Sequence, residues 1–115
     1  TRLENLVYNT ADDYGQSYNG AYWHFYDGEH EGQRVRYMAP KLSGMEEVMG
    51  ASNYFKGSLS WDAFGIVCSL FALNALSWMM PNADDERDKV IDAYHALRRY
   101  ASAHEEGEAI LGAID

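Results

Sequence analysis

The chain has 115 residues, 47% of them hydrophobic, and its nine Lys and Arg against eighteen Asp and Glu leave a net charge of −9. This length predicts one domain over residues 1–115, burying about 65% of the surface that the extended chain would expose. The acidic balance argues against binding to nucleic-acid phosphates, because each phosphate contact needs a cation.

The first predicted element is a short helix over residues 3–14, which carries a partial apolar stripe. The residues that open the chain, Thr1, Arg2 and Glu4, are polar, so we expect no signal peptide there. Because Thr1 stands in place of Met, we expect that residues upstream were removed. Residues 15–20 are predicted to form a loop.

An aromatic β-hairpin is predicted over residues 19–40. Alternation along its first strand places Trp23 and Phe25 on one face and Tyr22 and Tyr26 on the other. Since both faces carry rings, the strand is either enclosed in a core or meets a partner.

The turn of this hairpin is predicted at Asp27-Gly28, within a charged loop that Gly32 closes. A second strand is predicted over residues 33–38, and a weaker third strand over residues 53–59. Residues 41–52 fit either one helical turn or a packed loop.

The second half is predicted to be helical, beginning with an almost wholly apolar helix over residues 61–80. Ser60 is its expected N-cap, and Asp62 lies in the first turn, where the helix dipole favours an anion. The helix approaches the length of about 20 residues that spans a bilayer. However, Asn74 and Ser77 are polar and no basic anchor flanks the helix, so we expect a buried core helix and no membrane partner.

Small residues on this helix, Gly65, Ser69 and Ala72, predict that another backbone comes close there. Cys68 lies among apolar residues and is expected to be a small core hydrophobe. As the only cysteine, it supports no disulfide framework, which favours a reducing, cytoplasmic compartment.

An amphipathic helix over residues 84–103 and a short helix over residues 105–114 complete the chain. The first opens with an acidic face, on which Asp85 with Lys89 and Asp84 with Arg87 are expected ion pairs. The predicted fold class is therefore α+β, with a small antiparallel sheet of about three strands, a buried central helix and C-terminal amphipathic helices.

No pattern in the chain predicts catalysis. His24, Asp27, Glu29 and His30 cluster in sequence, but their spacing matches no metal-ligand signature. The sequence has no glycine-rich phosphate loop and no nucleophile elbow, so we expect no enzyme activity, no metal and no cofactor.

Four blocks of the sequence resemble the ArdB/KlcA antirestriction protein family. NGAYWHFY at residues 19–26, with YMAP at 37–40, is similar to the hairpin block of the family, and SWDAFGIVCSLFALN at 60–74 is similar to its central helix. LVY at 6–8 resembles the opening block, and YHALR at 94–98, HEE at 104–106 and AID at 113–115 resemble the closing one. The charged loop over 27–33 is longer than the family's turn, Trp61 and Phe64 replace small residues, and Glu105 stands where the family often has Pro.

The resemblance implies an α+β domain, from a plasmid, phage or other mobile element, that counters host type I restriction–modification. The expected partner is a host defence nuclease complex, first a subunit of the type I restriction enzyme, bound without direct contact to nucleic acid. Two alternatives remain: an inhibitor of another defence system such as CRISPR interference, and an acidic mimic of DNA. A charge of −9 with nine interspersed cations is modest for a mimic.

Contacts with such a partner are expected from surplus aromatic and acidic side chains. Exposed tyrosines make good anchors, although core packing explains the same rings. For the acidic residues, the ordinary alternatives are a solvated helix start and a frayed terminus. The candidate partner-binding residues are Tyr22, His24, Tyr26, Asp27, Glu29, His30, Glu31, Tyr37, Asp84, Asp85, Glu86, Asp88 and Asp115.

Overall fold

The computed structural model describes residues 1–16, 18–49, 56–82 and 84–115. Within these ranges helices and strands follow one another in the order α1 (Arg2–Tyr14), β1 (Trp23–His30), β2 (Gln33–Pro40), β3 (Met45–Met49), β4 (Lys56–Ser60), α2 (Trp61–Met79), α3 (Asp85–Ala103) and α4 (Gly107–Ile114). Helices combined with antiparallel strands confirm the predicted α+β class.

The strands form two separate antiparallel hairpins, β1 with β2 and β3 with β4, rather than about three strands in one sheet. β3 is the strand missing from the prediction, because its segment was expected to be a helical turn or a loop. All five of its residues pair with β4. Hydrogen bonds between the two strands therefore satisfy the backbone N–H and C=O groups of this segment, which a helical turn would have satisfied internally. The predicted third strand is observed from Lys56 onward, while residues 53–55 lie outside the described ranges.

The turn of the first hairpin lies at Glu31-Gly32, so the prediction of a turn at Asp27-Gly28 and of a charged loop around it was wrong. All eight residues of β1 pair with the eight residues of β2, which leaves two residues to connect them. Both have positive φ, 51° at Glu31 and 78° at Gly32, as in the type I′ turn that suits the twist of paired strands. Asp27 and its acidic neighbours are therefore strand residues.

α2 is the central helix, and its start follows the prediction: the Ser60 hydroxyl accepts a hydrogen bond from the Ala63 N–H at 3.1 Å. Among the described helices, α2 alone is long and apolar enough to cross a membrane, but 61% of its apolar window is buried inside the fold. Such burial is typical of a core helix. Cys68 is completely buried, as predicted, and this burial raises the pKa of its thiol.

The backbone of β2 lies against the small residues of α2, as predicted. A Cβ atom at Gly65 would lie 2.4 Å from both the Met38 carbonyl oxygen and the Ala39 Cβ, so the approach leaves no room for a side chain. One turn later, the Ser69 hydroxyl accepts from the Met38 N–H at 3.1 Å and donates to the Met38 carbonyl at 3.3 Å. The helix thus satisfies backbone groups on the edge of β2 that faces away from β1.

α3 begins as predicted after Asp84, whose carboxylate accepts from the Glu86 N–H at 2.8 Å. The expected ion pairs of this helix were wrong. Lys89 contacts Glu86 at 3.0 Å instead of Asp85, and Arg87 donates to a carbonyl of α2. Asp84 does not pair with Arg87 because its carboxylate caps the helix.

Candidate functional site

Three of the four blocks that resemble the family meet at the first turn of α2. Asp62 accepts from the Tyr37 hydroxyl of β2 at 2.6 Å through Oδ1, and its Oδ2 lies 2.9 Å from His104 Nε2 at the end of α3. The Glu106 N–H donates to His104 Nδ1 at 2.9 Å. Because Nδ1 accepts, Nε2 is the ring nitrogen that donates to Asp62.

Glu106 extends this polar cluster to the cap of α2. Its carboxylate accepts from the Ser60 N–H at 2.8 Å through Oε1 and from the Ser60 hydroxyl through Oε2. The cluster of Tyr37, Ser60, Asp62, His104 and Glu106 therefore ties β2, α2 and the α3–α4 junction together. The spacing of these residues in the sequence does not predict this cluster. The one indication that they matter is that each lies in a block that resembles the family.

Tyrosine, aspartate and histidine are acid–base groups in many enzymes, but here each one is engaged in the fold. Burial and then the Asp62 carboxylate raise the pKa of Tyr37 well above its usual value, which keeps the phenol a neutral donor. The His104 side chain is only 11% exposed. We interpret the cluster as a structural anchor. Within the described ranges, no group of three or more His, Cys, Asp or Glu side chains is placed to hold a metal.

A stack of tyrosines joins the first hairpin to α3. The ring centroids of Tyr26 and Tyr37 lie 4.8 Å apart, and each lies 5.9 Å from that of Tyr100. His30 meets Tyr100 edge-on at 5.7 Å. Tyr37 is only 5% exposed, so its assignment as a partner contact was wrong: it packs on the inner face of the hairpin, toward the helices. Tyr26 and His30 lie at the border of this stack.

The other hairpin candidates lie on the surface. Tyr22 is 90% exposed, and His24, Glu29 and Glu31 are exposed as well. Asp27 accepts from Arg34 Nε at 3.0 Å and from its terminal nitrogen at 2.7 Å, and this interaction lowers the pKa of Asp27. These side chains stay candidate contacts.

The acidic candidates are divided between two places. Asp84 to Asp88 open α3, with Asp84 as its cap, and Glu86 shares a groove with Asp27 of β1. The side-chain carboxylate of Asp115 pairs with Arg98 at 3.0 Å, so this carboxylate is held against α3.

That groove, of about 550 Å³, lies between α1, α3 and the first hairpin. Buried side chains of Val7, Met38 and Leu73 line it. At its edge stand Phe25, which is 66% exposed, and the exposed Arg36. Neither was a candidate residue, because alternation places rings on both faces of β1 without showing which face the helices leave open.

Comparisons of the sequence with a family model and with known proteins identify the same family. A family model described as antirestriction protein matches residues 16–115. Two relatives, both named antirestriction protein KlcA from Escherichia coli, are 44% and 42% identical to this chain over 114 residues, which are 99% of the chain and 78% and 75% of the relatives.

A solved structure gives the same result for the fold. It is described as showing that the KlcA and ArdB proteins have a novel fold and antirestriction activity against Type I DNA restriction systems in vivo but not in vitro. It matches with a TM-score of 0.86 and 46% identity, covering 99% of this chain and 78% of that one. The chain therefore belongs to the antirestriction protein family.

Proposed function

We propose that this chain, encoded by a mobile element, relieves host type I restriction in the cytoplasm by binding the restriction enzyme complex. It does so without direct contact to nucleic acid and without catalysis. The observation that carries the proposal is the likeness, over 99% of the chain, to solved proteins described as active against Type I DNA restriction systems. Residues 1–115 act as one domain, and a core cluster to which all four helices and both hairpins contribute buried residues supports this.

Exposed rings on the first hairpin support a protein partner. Tyr22 and Phe25 are 90% and 66% exposed, so most of their surface is in contact with water. Aromatic side chains are enriched among the residues that contribute most to protein interfaces. The first hairpin is therefore the surface on which we expect the restriction enzyme complex to bind.

The charge arrangement favours this mechanism over mimicry of DNA. A mimic needs dense, unpaired acidic groups along an elongated surface, whereas the molecule measures 39 × 28 × 28 Å. Several of its surface carboxylates are already paired, among them Asp27 with Arg34, Glu86 with Lys89 and Asp115 with Arg98.

The nucleophilic and acid–base groups of the chain support a role without catalysis. Cys68 is completely buried, and a thiol in such a place is protonated and out of reach of a substrate. Asp62 and His104 are hydrogen-bonded to each other and to neighbouring elements. An inhibitor that acts by binding needs none of these groups to be free.

Phage plating in living cells tests the proposal. Cells are the appropriate setting because the solved relatives are described as active in vivo but not in vitro. Unmodified phage is plated on a host with type I restriction, on the same host without it, and on a host with CRISPR interference, each with and without the chain. We expect plating to rise only on the type I host, and cross-linking in those cells to capture a restriction subunit.

Two results would contradict the proposal. Relief on the CRISPR host alone would assign the chain to a different defence system. No relief on either host, with folded protein present in the cells, would reject antirestriction by this chain.

A further inference from the structure

We propose that the hairpin groove, lined by Val7, Phe25, Arg36, Met38, Leu73 and Val90, binds a short segment of the protein partner that combines a bulky apolar side chain with a carboxylate. This inference rests on the proposed function, because it requires a protein partner. It adds where the partner binds and what chemistry it presents.

The floor of the hairpin groove is apolar. Val7, Met38 and Leu73 come from α1, β2 and α2 and are buried, while Val90 of α3 is half-buried. A volume of about 550 Å³ falls within the range of clefts that bind ligands. An apolar side chain that enters it displaces water from surfaces of four elements at once.

Phe25 gives the hairpin groove an exposed ring at its edge. It pairs across the strands with Met38, so both side chains stand on the same face of the hairpin. Met38 is 5% exposed and Phe25 is 66% exposed. The ring has no polar atom for water to solvate, and a partner segment in the groove would cover it.

Charge defines the second property of the ligand. Three other charged side chains of the lining are paired: Glu86 with Lys89 at 3.0 Å, and Asp27 with Arg34 at 2.7 Å. Asp27 faces Arg36 across the strands, and the two charges attract each other, but the carboxylate oxygens of Asp27 accept their hydrogen bonds from Arg34. Arg36, the arginine of the lining, makes no direct ion pair or hydrogen bond with a carboxylate of the described residues, and a guanidinium binds a carboxylate in bidentate geometry.

Three variants test the groove in the plating assay. Phe25→Ala removes the ring, Arg36→Glu reverses the charge, and Ala93→Trp obstructs the groove from the exposed wall of α3. Two matched controls lie outside the lining: Trp78→Ala, which also removes an exposed ring, and Lys41→Glu, which also reverses a charge. With melting temperatures confirming that all five fold, each groove variant should weaken partner binding at least about tenfold and reduce relief, and the controls should not.

A selection from random displayed dodecapeptides tests the class of ligand directly. We expect the chain to enrich peptides that carry Asp or Glu within a few residues of Leu, Phe or Trp. Their binding should be lost with Arg36→Glu and retained with Lys41→Glu. Neutral or basic peptides, or peptides that Arg36→Glu still binds, would overturn the inference. So would tight binding of decanoate, because the groove would then be a site for small apolar acids.

The two proposals fail in different ways. If the unaltered chain relieves restriction and the three groove variants relieve it equally well, the groove is not the docking site, while the proposed function stands. If the unaltered chain gives no relief, the proposed function fails. The peptide selection then tests by itself whether the hairpin groove binds an apolar, acidic segment.

Discussion

The imidazole of His104 lies 2.9 Å from the carboxylate of Asp62, although 42 residues separate them in the sequence. Both ring nitrogens are engaged, because Nδ1 accepts the Glu106 N–H at 2.9 Å while Nε2 donates to Asp62. The end of α3, the first turn of α2 and the residue before α4 are therefore held by one side chain. Its contribution to stability can be measured.

His104→Ala should lower the free energy of unfolding by about 1–3 kcal/mol, since it leaves the Asp62 carboxylate and the Glu106 N–H without this partner. Urea unfolding measures the change. His95→Ala is the matched control, because His95 is exposed on the same helix. Equal losses in the two variants would show that the Asp62 contact contributes nothing to stability.

Gly65→Ala should strongly destabilise the fold, by about 3 kcal/mol or more, because the new Cβ would overlap the backbone of β2. Thermal and urea unfolding measure this loss. Asn74→Ala, at an exposed position of the same helix, should leave stability unchanged or slightly raised, since alanine favours the helix. A Gly65→Ala variant as stable as the unaltered chain would contradict the close approach of α2 and β2.

Ser69→Ala should cost about 1–3 kcal/mol, since it leaves the buried N–H and C=O of Met38 without their partner. Ser77 is a well-matched control, because it lies on the same helix, is also buried, and its hydroxyl donates only to the Asn74 carbonyl within α2. We expect Ser77→Ala to be clearly milder. If both substitutions have the same small effect, α2 does not stabilise the edge of β2 through this hydroxyl.

The pKa of Asp27 should lie below its ordinary value of 3.8, because Arg34 donates to the carboxylate and stabilises its charged form. With a depressed pKa in the folded state, this pair stabilises the fold above about pH 4, and the contribution is lost as pH falls through the folded value. NMR titration of the Asp27 carboxyl carbon measures the midpoint. Arg34→Ala should raise it, and high salt should raise it in part because both groups are exposed.

Local signals in the sequence were sufficient for the helices. Ser60 caps α2 as predicted, α3 begins where its periodic pattern predicts, and the small residues around Gly65 correctly indicated a nearby backbone. These features depend on a few adjacent residues, so the sequence alone contains them.

The turn of the first hairpin and strand β3 were not predicted correctly, because both depend on pairing between separate segments of the chain. Asp27-Gly28 is a strong turn signal, but Asp27 and Gly28 pair with Arg36 and Val35 of β2, and the turn lies at residues 31–32. β3 was not predicted because it exists only through its pairing with β4.

The candidate site was predictable only in part. The rings of the hairpin were identified, but the exposure of each ring depends on how the helices pack against the hairpin. Tyr37 is 5% exposed and Phe25 is 66% exposed, and both lie in strands with similar alternation. The anchor around Asp62 needs the ends of α2 and α3 to meet, which no spacing in the sequence encodes.

The most direct test of the central claim is the plating efficiency of unmodified phage on a host with type I restriction that expresses this chain. We predict that the efficiency rises toward that of the same host without the restriction enzyme. An efficiency that stays at the restricted level, while the folded chain is present in the cells, would contradict the proposed function.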